Sequence, residues 1–152
     1  MQKILNRIII IILSLWLVVY GASPLIVQAA GSISISPTSG IPGTTVTVTG
    51  VSFNATETVT ITYDGTLLIS VSAGSGNWSS PITIPPSTAG PHSIIATGSV
   101  SGPSANVTFT VTPSVSVSPS GGAVGSSVTI TGYGFSASET GITVNYDGAA
   151  VA

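Results

Sequence analysis

The chain has 152 residues, no cysteine and a formal net charge of −2. Disulfides and thiolate zinc sites are therefore excluded. Nucleic-acid binding is excluded too, because Lys3 and Arg7 are the only strong cations and a phosphate backbone needs many.

The N-terminus has its own composition. Lys3 and Arg7 precede an apolar run, Ile8 to Tyr20, and small residues follow, ending in "VQAAG". A basic start, an apolar middle and small residues at the cut are the layout of a secretory signal. Val27 and Ala29 fit the small-residue positions, so residues 1–29 are expected to form a signal helix that is cleaved after Ala29, or after Ala30. An uncleaved anchor is the rival, since Ile8 to Val27 is about long enough to span a bilayer at about 1.5 Å per residue. Gly21 and Pro24 interrupt that run, and proline is costly inside a helix. On either reading the rest is exported, to a secreted or cell-surface location, and it touches a membrane only through this segment if the segment is uncleaved.

From Ile33 onward the apolar period is two. Val46 and Val48 alternate with Thr45, Thr47 and Thr49, and the same holds for Val59, Ile61 and Tyr63 and for Val107, Phe109 and Val111. Such alternation marks strands with one buried and one wet face. In chain order the strands are expected near 33–36, 44–49, 58–63, 66–71, 80–84, 92–97 and 105–111. Between them lie "SPTSGIPG", "AGSGN", "PPSTAGP" and "SGPSA", built from turn residues. Seven short strands predict an all-β, two-sheet sandwich over residues 31–112, with no α-helix longer than one turn. The expected core is Val46, Val48, Phe53, Val59, Ile61, Tyr63, Leu67, Trp78, Ile82, Ile84, Ile94, Val107, Phe109 and Val111.

Next comes a second copy of the opening. "ISISPTSGIPGTTVTVTGVSFNATETVTITYDG" begins at Ile33, and "VSVSPSGGAVGSSVTITGYGFSASETGITVNYDG" begins at Val115. Gly141 is the one insertion, and most differences exchange Ile for Val or Ser for Thr. This is an internal repeat. Residues 113–152 carry counterparts of the first three strands and the start of a fourth. They are expected to be an incomplete second repeat, from a longer tandem array, weakly paired to the first copy. Val128, Ile130, Ile142, Val144 and Tyr146 are then left on an exposed inner face.

Several residues offer chemistry, and each has a structural reading beside it. Gly40 and Gly43, matched by Gly122 and Gly125, sit in a bend, and Gly50 and Gly132 end a strand three residues before Phe53 and Phe135. A phosphate cradle would need a following helix and a lysine, so turns are expected. Asp64-Gly65 and Asp147-Gly148 are hairpin dipeptides. Calcium shared by Asp64 and Glu57 is the rival, but two carboxylates are thin for six to eight oxygens. His92 and Asp64 with a serine would make a triad, yet no nucleophile elbow is present. Asn54, Asn77 and Asn106 each begin an Asn-X-Ser/Thr triplet, a possible glycan acceptor in an exported chain. Trp78 with Tyr133 would make a sugar-stacking platform, against a plainer role for Trp78 as a core ring.

The pattern "SPxSG…G(T/S)(T/S)VT(V/I)TGxxF", then an apolar strand ending in "YDG", resembles the IPT/TIG group of immunoglobulin-like domains. It is especially similar to the tandem copies of prokaryotic secreted or surface proteins. The likeness covers Ile33 to Gly65 and Val115 to Gly148. It implies an immunoglobulin-like β-sandwich and a spacer, adhesive or S-layer-like role, with no universal ligand site. The resulting expectation is a non-catalytic structural or interaction module with no catalytic residue, cofactor or metal. Its partners would be other cell-surface proteins or glycans. A carbohydrate- or glycan-binding adhesin is the alternative.

Overall fold

The period-two alternation of β-branched and hydroxyl residues becomes strand throughout the computed structural model, which describes residues 31–104 and 106–151. The expected signal segment, with Lys3, Arg7 and the expected cleavage position Ala29, lies outside the described residues. Among the described residues there are thirteen strands and no helix. The first copy contains β1 (Ser32–Ser36), β2 (Ser39–Gly40), β3 (Thr45–Val51), β4 (Thr58–Tyr63), β5 (Thr66–Ser72), β6 (Trp78–Thr83), β7 (Gly90–Gly98), β8 (Gly102–Pro103) and β9 (Val107–Val111). The second contains β10 (Ser114–Ser118), β11 (Thr129–Tyr133), β12 (Asn145–Tyr146) and β13 (Ala149–Ala150).

Two sheets face each other in the first copy. One has the order β1-β3-β6, and the other β2-β9-β7-β4-β5 with β8 added to β7. Pairing is antiparallel except for β2 on β9, which is parallel. The opening segment thus contributes β1 to one sheet and β2 to the other. This is the immunoglobulin-like sandwich arrangement. The inner faces supply Val46 and Val48 from β3 and Val59, Ile61 and Tyr63 from β4. Ile82 comes from β6, Ile94 and Ala96 from β7, and Phe109 and Val111 from β9, all buried. Each fully buried Val, Ile or Phe side chain contributes about 1.5–3 kcal/mol before chain entropy is counted.

Two expected core residues fall elsewhere. Leu67 is exposed, because the β4–β5 pairing shifts between Ile61 and Thr62. Ile61 pairs Ile69 and Thr62 pairs Leu67, so Leu68 is the extra residue of a bulge and turns partly inward in its place. Val107 is only partly buried, at the entry of β9. Ala73 and Ala96 are fully buried and were not among the expected core, since their small side chains give a weak hydrophobic signal. The two-residue strands β2 and β8 are too short to show a period.

Asp64 and Gly65 take φ of +47° and +82°, the geometry of a tight hairpin with two left-handed residues, and Asp147 and Gly148 repeat it at +49° and +84°. The second copy follows the first in register. Ser114↔Tyr133 through Ser118↔Thr129 repeat Ser32↔Val51 through Ser36↔Thr47, shifted by 82 residues. Asn145↔Ala150 and Tyr146↔Ala149 repeat Thr62↔Leu67 and Tyr63↔Thr66. Burial does not follow. Val128, Ile130, Ile142 and Tyr146 are exposed, and Val144 is half-buried. Where β3 pairs with β1 and β6, β11 pairs with β10 alone.

Candidate functional site

Two polar clusters and one cleft hold nearly all the chemistry of the described residues. The first cluster starts at the Asp64-Gly65 turn. The left-handed backbone there swings the Asp64 carboxylate back over β7. Its Oδ1 accepts the Ser93 N–H at 2.8 Å, and its Oδ2 lies 2.6 Å from His92 Nδ1. The other ring nitrogen, Nε2, lies 2.8 Å from the Thr88 carbonyl oxygen. A carboxylate and a carbonyl only accept, so the imidazolium is the form that satisfies both. The ring stacks on Tyr63 at 5.1 Å between centroids, and the Tyr63 hydroxyl donates to Ser87 Oγ at 3.0 Å. Ser87 Oγ donates in turn to the Pro85 carbonyl at 2.8 Å.

The titrations follow from these contacts. Burial works against a charged His92, but the Asp64 carboxylate and the Thr88 carbonyl outweigh it and raise the pKa above 6.5. The His92 hydrogen bond, aided by the Ser93 N–H, holds Asp64 below 3.8 in spite of some desolvation. Burial raises the Tyr63 phenol.

Histidine and aspartate therefore meet, as a triad would require, but the third member is replaced. The nitrogen that would take a nucleophile's proton faces the Thr88 carbonyl instead. Glu57 and Asp64 do not meet. They flank the two ends of β4, roughly 20 Å apart at about 3.3 Å per residue. Among the described residues no group of three or more His, Asp or Glu side chains is placed to hold a metal ion.

Glu57 forms the second cluster. Its Oε1 accepts the Asn54 N–H at 2.7 Å and the Ser101 hydroxyl at 2.6 Å. Its Oε2 accepts the N–H groups of Val100 at 2.8 Å and Ser101 at 3.0 Å. The carboxylate ties the entry of β4 to the β7–β8 turn. Burial pushes its pKa up, but these four donors win and hold it at about 2. Gly98 leaves the room, since a Cβ there would stand 2.5 Å from Oε2. A sequence signal for half of this cluster exists. Asn54-x-x-Glu57 recurs as Ser136-x-x-Glu139, where Glu139 Oε2 accepts the Ser136 N–H at 3.0 Å. Val100 and Ser101 lie more than forty residues from Glu57 and carry no such signal.

The remaining candidates have structural settings. Trp78 is buried against Phe53, with ring centroids 5.5 Å apart, and a Cβ on Gly50 would stand 2.2 Å from its ring. Tyr133 lies away from it in the cleft described below. Gly43 donates its N–H to the Ile84 carbonyl at 2.8 Å, tying the β2–β3 bend to the chain after β6. Of the three Asn-X-Ser/Thr asparagines, Asn77 and Asn106 are exposed, whereas Asn54 Nδ2 is buried.

A cleft of about 640 Å³ lies where the two copies meet. Pro42, Pro85 and Pro86 line it from the first copy, and Tyr133, Phe135 and Ala137 from the second. At this junction the Ala89 N–H donates to the Gly134 carbonyl at 2.6 Å.

With this geometry in place, comparison with known families gives a match. The IPT/TIG domain model matches residues 32–111, from β1 to the end of β9 and more than half of the chain. No curated protein matches the chain.

Proposed function

The chain belongs to the IPT/TIG domain family, and from that premise we propose that it is a structural spacer or interaction module of an exported protein. Domains of this family are generally non-catalytic, immunoglobulin-like interaction or spacer modules. One observation carries the reading for this chain. Every titratable side chain between β1 and β9 is spent on holding its own domain together. Glu57 caps three backbone N–H groups, Asp64 and His92 hold each other with Ser93 and Thr88, and Tyr63 holds Ser87. Among the described residues no charged side chain lines the cleft.

Residues 1–29 direct export in this reading, and cleavage follows Ala29. Residues 31–112 form one complete module. Residues 113–152 belong to the next, and the shared strand register supports that division. Its partners are the neighbouring modules and other surface proteins. The adhesin alternative loses its aromatic platform, because Trp78 is buried. A glycan-array screen of the mature chain tests the choice. No bound glycan is the expected result, and a specific, saturable glycan hit would overturn the spacer reading.

A further inference from the structure

The peptide group between Thr88 and Ala89 is gripped at both ends. Its carbonyl oxygen accepts from His92 Nε2 at 2.8 Å, and its N–H donates to Gly134 O at 2.6 Å. A single peptide plane therefore joins the His92–Asp64 pair of the first copy to the corner that follows β11 in the second. We propose that the Ile84–Gly90 loop is the seat on which the following repeat docks, and that protonated His92 locks this seat through the Thr88–Ala89 peptide. The proposal rests on the spacer reading and adds how one module is joined to the next and what sets the stiffness of the joint.

The loop is built as a seat. Its first residue is tied to the β2–β3 bend, with Ile84 N–H donating to Thr44 O at 3.0 Å and Gly43 N–H to Ile84 O at 2.8 Å. Its middle is braced by Ser87, which links Tyr63 to the Pro85 carbonyl. Its last part depends on His92. Pro85 and Pro86 restrict the backbone and present an apolar wall to Tyr133 and Phe135. The corner is held against the junction between the copies: Gly134 takes φ of +77°, and a Cβ there would stand 3.1 Å from the Pro113 backbone and 3.4 Å from the Thr112 carbonyl oxygen.

Protonation decides the lock. Charged His92 donates to Asp64 and to Thr88 together. A neutral ring keeps one N–H, which the carboxylate retains as the stronger acceptor, and the Thr88 carbonyl then faces a nitrogen lone pair. A charged donor on the carbonyl also polarises the peptide and strengthens its N–H towards Gly134. The groups facing the ring are few. Tyr63 comes from β4, Asp64 from the β4–β5 turn, and the loop offers its Thr88 carbonyl. Phe109, opposite His92 on β9, does not titrate. His92 has a raised folded-state pKa, so its contribution is complete below pH 6.5 and is lost as pH rises through that higher value. Asp64 has a lowered one, so its contribution holds above pH 3.8 and is lost as pH falls through its folded-state value.

The test is backbone ¹⁵N relaxation on the mature chain at pH 5.5 and 8.5. At pH 5.5 the amides of β10 and β11 are expected to share the rotational correlation time of β3, β4 and β7. At pH 8.5 they are expected to show a shorter one, and the Ala89 amide proton to move upfield. His92→Asn should give the loose value at both pH values, and Asp64→Asn should move the midpoint to lower pH. Gly134→Ala crowds the Thr112–Pro113 junction and touches no residue of the His92–Asp64 cluster. It should loosen the joint at both pH values while the His92 ring titrates as in the wild type, which keeps the test valid if the His92 variant unfolds. A wild-type joint that is unchanged across the titration of the His92 ring, followed by its own ring signals, overturns the proposal, as does pH dependence that survives in His92→Asn. A glycan hit with the pH-dependent joint intact would count against the spacer reading alone. A pH-independent joint without glycan binding would count against the docking alone.

Discussion

Glu57→Gln is the most informative single change in the first module. The side chain keeps its shape, but one carboxylate oxygen becomes an amide that cannot accept. Whichever way the amide turns, its NH2 faces backbone donors it cannot satisfy: Val100 N–H and Ser101 N–H on one side, or Asn54 N–H on the other, where the Ser101 hydroxyl must also turn round to accept. A hydrogen bond to a charged group is worth about 1.5–3 kcal/mol, and the donors left behind are poorly reached by water. The pKa gives a second route to the magnitude. A carboxyl held at about 2 instead of 4.5 stabilises the folded state by about 3 kcal/mol at neutral pH. Glu57 is only 5% exposed, so solvent screening takes little of this away. For a domain of this size that loss lowers the melting temperature by roughly 10–20 °C. The sign sets the pH window. A lowered folded-state pKa stabilises above the unfolded value of 4.5, and the benefit is lost as pH falls towards 2. Thermal melts of wild type and variant, followed by circular dichroism, should therefore differ widely at pH 7 and converge near pH 2. Glu139→Gln serves as the control: it is exposed, holds the Ser136 N–H, and should cost about 0.5 kcal/mol or less. A gap between wild type and Glu57→Gln that stays constant from pH 7 to pH 2 would refute the charge argument and leave packing as the cause.

Three further outcomes follow from particular contacts. Gly50→Ala drives a Cβ into the Trp78 ring, which Phe53 holds in place, and should cost about 1–3 kcal/mol in urea unfolding. Its counterpart Gly132→Ala meets only the half-exposed Phe135 ring at 2.9 Å and should stay within about 0.5 kcal/mol; equal losses would show that Trp78 is not the obstacle. In a glycosylating host, glycopeptide mass spectrometry should find Asn54 bare, because its Nδ2 is buried, and a glycan on that residue in folded protein would contradict the side-chain placement. N-terminal sequencing of the chain exported by a secreting bacterial host should begin at Ala30, and a retained Lys3 and Arg7 would defeat the signal-peptide reading.

The sequence by itself determined what depends on near neighbours along the chain. Alternation of Val with Thr assigned β3 and β4 and told their inner faces from their outer ones, since side chains on a strand point to opposite sides at every step. Asp64-Gly65 announced its hairpin because two successive left-handed residues need that pair of side chains. The likeness of the two copies foretold a common register for β1–β3 and β10–β11. Tertiary structure decided whatever depends on distant parts of the chain. The β5 bulge exchanged Leu67 for Leu68, an edge-strand adjustment that no period of two can express. His92 met Asp64 across 28 residues, and Glu57 met Ser101 across 44, because separate loops converge at the ends of the sandwich. Burial was decided in the same way. Val46 and Val128 occupy the same place in the repeated pattern, yet Val46 pairs with Ile82 of β6 and is fully buried, whereas β11 pairs with β10 alone and Val128 is exposed. A strand's sequence sets which face is apolar, and only a second sheet against that face removes it from water.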